Sequence, residues 1–288
     1  SAPLPYWRFV PRYESSALMG HGLTWSTPCF TNVTVTNSLA DPIHARMTSS
    51  EHEYPGVSWG GALYAQSSDV SISASVFVDN TARGWSVTAA GALFIDLKTR
   101  LVLTDSRLER NSVVSYQTGF AEHESLLRSD PELSPVVLFA NLPDDGTSPT
   151  RPKTKVYKAA LVQMMKATKD HGLCTGGAIH ARGDANLDIS RCVLSGNAAL
   201  TSGGAIDALL TRRIVLTDVT MEHNRALAGG AVALSSSTIS LTSCLLKQNT
   251  AWLRGGGMYG DASSHITVTT SRIETNGAAF GGAIHALP

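Results

Sequence analysis

The sequence predicts an all-β fold, a right-handed parallel β-helix with coils of about 26 residues. Three observations carry that expectation. First, a turn of the form Gly-Gly-Ala-aliphatic recurs at Gly60-Gly61-Ala62-Leu63, Ala90-Gly91-Ala92-Leu93, Gly176-Gly177-Ala178-Ile179, Gly203-Gly204-Ala205-Ile206, Gly229-Gly230-Ala231-Val232, Gly255-Gly256-Gly257-Met258 and Gly281-Gly282-Ala283-Ile284. The last five are spaced by 27, 26, 26 and 26 residues. Second, an Asn preceded at three residues by an apolar side chain closes each complete unit, at Asn80, Asn111, Asn197, Asn224, Asn249 and Asn276, always 20 or 21 residues after the turn. Third, the segment between turn and Asn alternates in and out. Its inward aliphatics include Ile72, Leu101 and Leu103, Leu187 and Ile189, Ile214 and Leu216, Ile239 and Leu241, and Ile266 and Val268.

Each element has a physical reason. Coils stacked at the inter-strand spacing of about 4.8 Å bring every position over its equivalent in the next coil. Glycine supplies the tight corner, and the small residue after it avoids collision with the neighbouring coil. Stacked Asn side chains can bond corner backbone that would otherwise be unpaired, forming a structural ladder along the axis. Three short strands per coil fit the spacing. A leucine-rich repeat would show an L-x-x-L-x-L frame, and a β-propeller blade needs about 40 residues, so both are excluded.

The chain divides accordingly. Residues 1–59 read as an N-terminal cap with a degenerate first coil around Phe30 to Asn37, and residues 60–111 as β-helix coils. Residues 112–175 form a long insertion with a Pro/Asp/Gly-rich stretch, followed by a helix over 153–169 whose Val156, Ala160, Met164 and Ala167 recur at helical spacing. Residues 176–288 resume the coils. Beginning at Ser1 and stopping at Pro288 just after a fresh turn, the sequence reads as a piece of a longer chain, and a coil end near Ala286 calls for another coil, chain or cap to cover its strand edges.

Composition narrows function. Hydrophobic residues make up 43% and charged residues 16%, which leaves a Ser, Thr and Asn surface suited to β coils. Lys+Arg 23 balances Asp+Glu 23, so no basic footprint for nucleic acid or an anionic membrane exists. Of four cysteines, Cys192 and Cys244 share an inward column with Ser75, Ser106, Val219 and Ser271 and read as core fillers. Cys29 and Cys174 fall in irregular segments and form a possible disulfide in an oxidising compartment. Asn32-Val33-Thr34 is a possible glycosylation sequon.

Candidate chemistry lies in the outward column that follows each turn: Tyr64, Phe94, His180, Asp207, Ala233, Tyr259 and His285. His180 and Asp207 are neighbours on successive coils, where a carboxylate could orient an imidazole for general acid-base work. The plainer reading of the same pair is solvated strand residues, since any two stacked outward positions come together. Tyr64, Phe94 and Tyr259 could form a strip that stacks carbohydrate, or simply cover their strand neighbours. Asp105, Asp184, Asp188 and Asp218 are scattered rather than clustered, so neither a hydrolase pair nor a calcium site is expected, and no metal or cofactor is assigned.

The GGA[ILV] turns together with Phe77-Val78-Asp79-Asn80, an F-x-x-N closure, resemble the passenger repeats of chlamydial polymorphic outer membrane proteins. More broadly they are similar to the pectin-lyase-like superfamily, over residues 60–288 apart from the insertion. The other coils replace that Phe by Leu, Met or Ile. The resemblance implies an extracellular or surface setting and an adhesive or structural role. Polysaccharide lyases, hydrolases and epimerases share the fold, so two expectations stand. The first is a non-catalytic platform that meets a protein partner or larger assembly through the insertion or the solenoid ends. The second is a polysaccharide-active enzyme using His180 and Asp207.

Overall fold

The computed structural model describes residues 18–21, 29–40, 58–84, 88–115 and 174–287. These form a β-solenoid of about six turns in which every strand pair is parallel. The proposed helix over 153–169 lies outside the described residues, as does most of the N-terminal cap.

The Gly-Gly-Ala corner leads into the first wall, an eight-stranded sheet that includes Leu63–Gln66, Leu93–Asp96, Ile179–Arg182 and Ile206–Leu209. The second wall, seven-stranded, includes Asp69–Ser73, Arg100–Thr104, Asn186–Ser190 and Arg213–Thr217. The third, also seven-stranded, is built from three-residue strands such as Val76–Val78 and Val193–Ser195. A fourth side, broken into shorter sheets, closes the coil. Register is uninterrupted from coil to coil: Leu63, Leu93, Ile179, Ile206 and Val232 stack in one column. Their alternation with outward residues produces the continuous buried core containing Ile72, Leu101, Leu103, Leu187 and Ile189.

The fourth side corrects the sequence reading in two respects: a coil has more than the three strands expected, and the insertion is shorter than 112–175. Ser112–Ser115 pairs with Thr81–Gly84, and Cys174–Thr175 pairs with Thr88–Ala89, so both ends of the expected insertion continue the coil. The departure from the repeat is therefore residues 116–173, none of them described. The marker of this side is weak: two residues after each ladder Asn from Asn80 to Asn249 it buries a small apolar side chain, Ala82, Val113, Ala199, Ala226 and Ala251.

The two glycines of each corner serve different needs. The first takes a left-handed backbone, as at Gly203 (φ +63). The second has an ordinary φ but no room, since a Cβ on Gly204 would stand 2.1 Å from the Gly230 carbonyl oxygen of the next coil. The turn at Ala90-Gly91 separates these roles. Ala90 accepts φ 61 at a cost of about 1–2 kcal/mol, whereas the position of Gly91, with a neighbouring oxygen 2.2 Å from any Cβ, admits no side chain.

At the far corner the six ladder Asn residues form one hydrogen-bonded column. In each step the backbone N–H and Nδ2 of one Asn donate to Oδ1 of the next, as from Asn197 to Asn224 at 3.0 and 3.0 Å. The second Nδ2 proton of Asn224 goes to the Leu194 carbonyl at 2.9 Å. The same set repeats from Asn80 through Asn111 to Asn249, and Asn276 accepts the last step. Buried polar groups arranged this way are fully satisfied, and each bond polarises the next.

Candidate functional site

The outward column beside the Gly-Gly-Ala corner is not the exposed strip expected from alternation. Tyr64 and Phe94 are buried, and His180 and Asp207 retain only 5% and 8% exposure. The reason is geometric. The residue before each glycine pair, five positions earlier, flanks the same corner and folds against the column. These companions are Trp59, Ala89, Thr175, Ser202, Ala228, Arg254 and Phe280. They are not legible as partners because no one residue type repeats there from coil to coil.

Each pair across the corner then has its own chemistry. In the first coils Trp59 stacks on Tyr64 and Phe94, with ring centroids 5.8 and 5.2 Å apart, and Tyr64 stacks on Phe94 at 5.3 Å. The Arg182 guanidinium lies over Trp59 at 4.7 Å and over Phe94 at 5.0 Å. It also forms a bidentate pair with Asp96 at 2.7 and 2.9 Å. Tyr64 Oη and the Leu97 N–H donate to the same carboxylate. Burial pushes the Asp96 carboxyl up, but Arg182, Tyr64 and the Leu97 N–H together outweigh it and hold the group below the usual carboxylate range.

In the next two coils the pairs are polar. Asp207 Oδ2 lies 2.9 Å from His180 Nδ1, and its Oδ1 accepts from Ser202 Oγ at 2.5 Å. Thr175 Oγ1 also meets Nδ1, at 2.9 Å, and the His180 ring lies against Phe94 at 5.0 Å. An ionised Asp207 would accept a hydrogen bond from Nδ1, the arrangement in which a carboxylate orients an imidazole. That is the orientation a general base requires. Its surroundings are an aromatic ring and satisfied hydroxyls. Further along, the corner narrows to Ala228 and Ala233, and then Tyr259 stacks on His285 at 6.1 Å.

Comparison with models of known protein families, with curated proteins and with solved structures gave no match. The reading of this chain rests on its own geometry.

That geometry places the remaining candidates apart. Asp79 pairs with Arg110 at 2.8 Å and Asp105 with Arg191 at 2.7 Å, each across neighbouring coils. Asp188 bridges Arg100 at 3.5 Å and Arg213 at 2.7 Å. Among the described residues no three His, Cys, Asp or Glu side chains converge as a metal site would require. Tyr64 and Phe94 are sealed beneath Trp59, so with Tyr259 they make no continuous stacking strip. The Cys29–Cys174 disulfide is not formed. Cys29 is an exposed thiol of the second wall, and Cys174 is a buried thiol of the fourth side, where burial pushes it up to about 12. Cys192 and Cys244 are likewise free, within the inward column above and below Val219. Asn32 stands exposed at the corner between the second and third walls of the first coil.

Proposed function

We propose that this chain is a non-catalytic structural or adhesive β-solenoid, a rigid interaction platform within a larger extracellular or surface protein. We read its coil as right-handed, the sense favoured for parallel crossovers within one sheet. The observation that carries the reading is how the acidic side chains are used. Asp79, Asp96, Asp105, Asp188, Glu109 and Glu274 each lie against an arginine, and Asp207 is held by His180 and Ser202. Hydrolysis or elimination on a sugar needs a carboxylate or base open to substrate. Here Asp79, Asp96, Asp105, Asp188 and Asp207 join neighbouring coils instead, and Glu109 and Glu274 pair within their own strand. Contact with a protein partner falls to the 116–173 segment and the solenoid ends, and carbohydrate is the alternative ligand.

The opposing reading is a polysaccharide-active enzyme built on His180 and Asp207. Incubation with uronate-containing polysaccharides, with His180→Ala as control, distinguishes the two. The platform reading expects no cleavage or epimerisation by either protein. Turnover that disappears in His180→Ala would replace it with the enzymatic reading.

A further inference from the structure

The sequon Asn32-Val33-Thr34 gains a geometric meaning from the fold. Asn32 occupies the corner between Cys29–Thr31 and Thr34–Thr36 with φ 55, a left-handed conformation that Asn tolerates well. The tripeptide is pinned from behind. The Asn32 N–H donates to the Ser73 carbonyl at 3.2 Å, and the Val33 N–H donates to Ser75 Oγ at 3.2 Å. Val33 thus sits in the inward column above Ser75, and Asn32 and Thr34, both exposed, face out on either side of it. Neither side chain has a hydrogen bond among the described residues, so carboxamide and hydroxyl are free to be recognised together.

Among the described residues no other Asn combines these properties. The ladder residues from Asn80 to Asn249 are fully buried and spend their amides on each other. Asn37 is exposed at the following corner but has Leu39, not a hydroxyl, two residues on.

We propose that Asn32 is an N-linked glycosylation site of this chain, an inference that rests on the extracellular reading above. In the transfer, Asn32 Nδ2 bonds to the anomeric carbon of a lipid-diphosphate-linked oligosaccharide. The bond from that carbon to the diphosphate breaks, the diphosphate leaves with the lipid, and the amide gives up one proton. Among the described residues, Cys29–Thr31 and Thr34–Thr36 pair on one side only. A glycan at Asn32 would shield that open edge, where an unpaired strand otherwise invites another chain.

The test is export of the whole chain from a eukaryotic host behind a cleavable signal sequence, read by glycosidase treatment and peptide mass spectrometry. A built-in control exists at the equivalent corner of a later coil, where Asp218-Val219-Thr220 has Asp218 at φ 54 and becomes a sequon on Asp218→Asn. One glycan is expected on the parent chain, lost in Asn32→Gln and Thr34→Ala and kept in Thr34→Ser. A glycan on the Asp218→Asn corner with Asn32 left bare overturns the proposal and leaves the extracellular reading standing. An exported chain bare at both corners also overturns it. Retention of the parent chain inside the cells counts against the extracellular reading and removes the proposal with it.

Discussion

The two corners of each coil solve opposite problems. At the Asn corner the same residue recurs in every complete coil, with the same bonds: backbone and amide protons into the next Oδ1, the remaining amide proton into a carbonyl of the preceding coil. At the outer flank of the Gly-Gly-Ala corner no single residue type fills every coil. An aromatic stack gives way to a His–Asp pair, then to two alanines, then to a tyrosine on a histidine. The Asn column is enclosed and cannot vary without orphaning buried polar groups. The flank lies outside the core, so each coil settles it locally. Repetition in this chain therefore marks what stacking requires, and divergence marks what stacking leaves open.

That contrast can be broken at several points. The largest effect is expected at the second glycine of a corner. Gly204→Ala forces a methyl against the Gly230 carbonyl oxygen at 2.1 Å, with backbone on both sides, and should cost about 3 kcal/mol or more in denaturant unfolding. Next comes the one flank contact built from charge. Asp96→Asn should cost about 2 kcal/mol at neutral pH, because Arg182 loses a charged, bidentate partner. The folded carboxyl lies below its unfolded value near 3.9, so its contribution is complete above that pH and is lost as pH falls through the folded value. Parent and variant stabilities should accordingly converge in acid, and a gap that persists unchanged at low pH would remove the electrostatic explanation. The smallest effect has the opposite sign. Ala90→Gly relieves a left-handed alanine and should raise stability by about 1 kcal/mol, measured as a higher midpoint. A loss there would mean the Ala90 methyl contributes packing that outweighs its backbone strain.

The same contrast explains what the sequence discloses. The wall order and inward columns are readable because Gly61, Ala62, Leu63 and Asn80 each return at a fixed offset in coil after coil. The proximity of His180 to Asp207 is readable for the same reason. Their burial is not, since it depends on Thr175 and Ser202, which belong to a column without a residue type common to all coils. A fixed offset of five across the corner would have found them once the corner was recognised as concave. Ser112–Ser115 reads as insertion because Val113 stands where the other coils carry Ala82, Ala199, Ala226 and Ala251, a weaker signal than the Gly-Gly-Ala turn. Cys29 and Cys174 looked available to each other because irregular flanks assign no wall, and the fold puts them in different ones.

The most direct test sets the two corners side by side, by denaturant unfolding of Asn224→Ala and His180→Ala. Asn224→Ala strips partners from the Asn197 N–H, the Asn197 amide and the Leu194 carbonyl, all within a buried column, and should cost about 3 kcal/mol. His180→Ala removes one contact of a carboxylate that keeps Ser202, and should cost about 1 kcal/mol. A ladder variant clearly less stable than the flank variant is the expected result. Equal losses, or a larger loss at His180, would contradict the view that the Asn corner carries the architecture while the flank is free to vary.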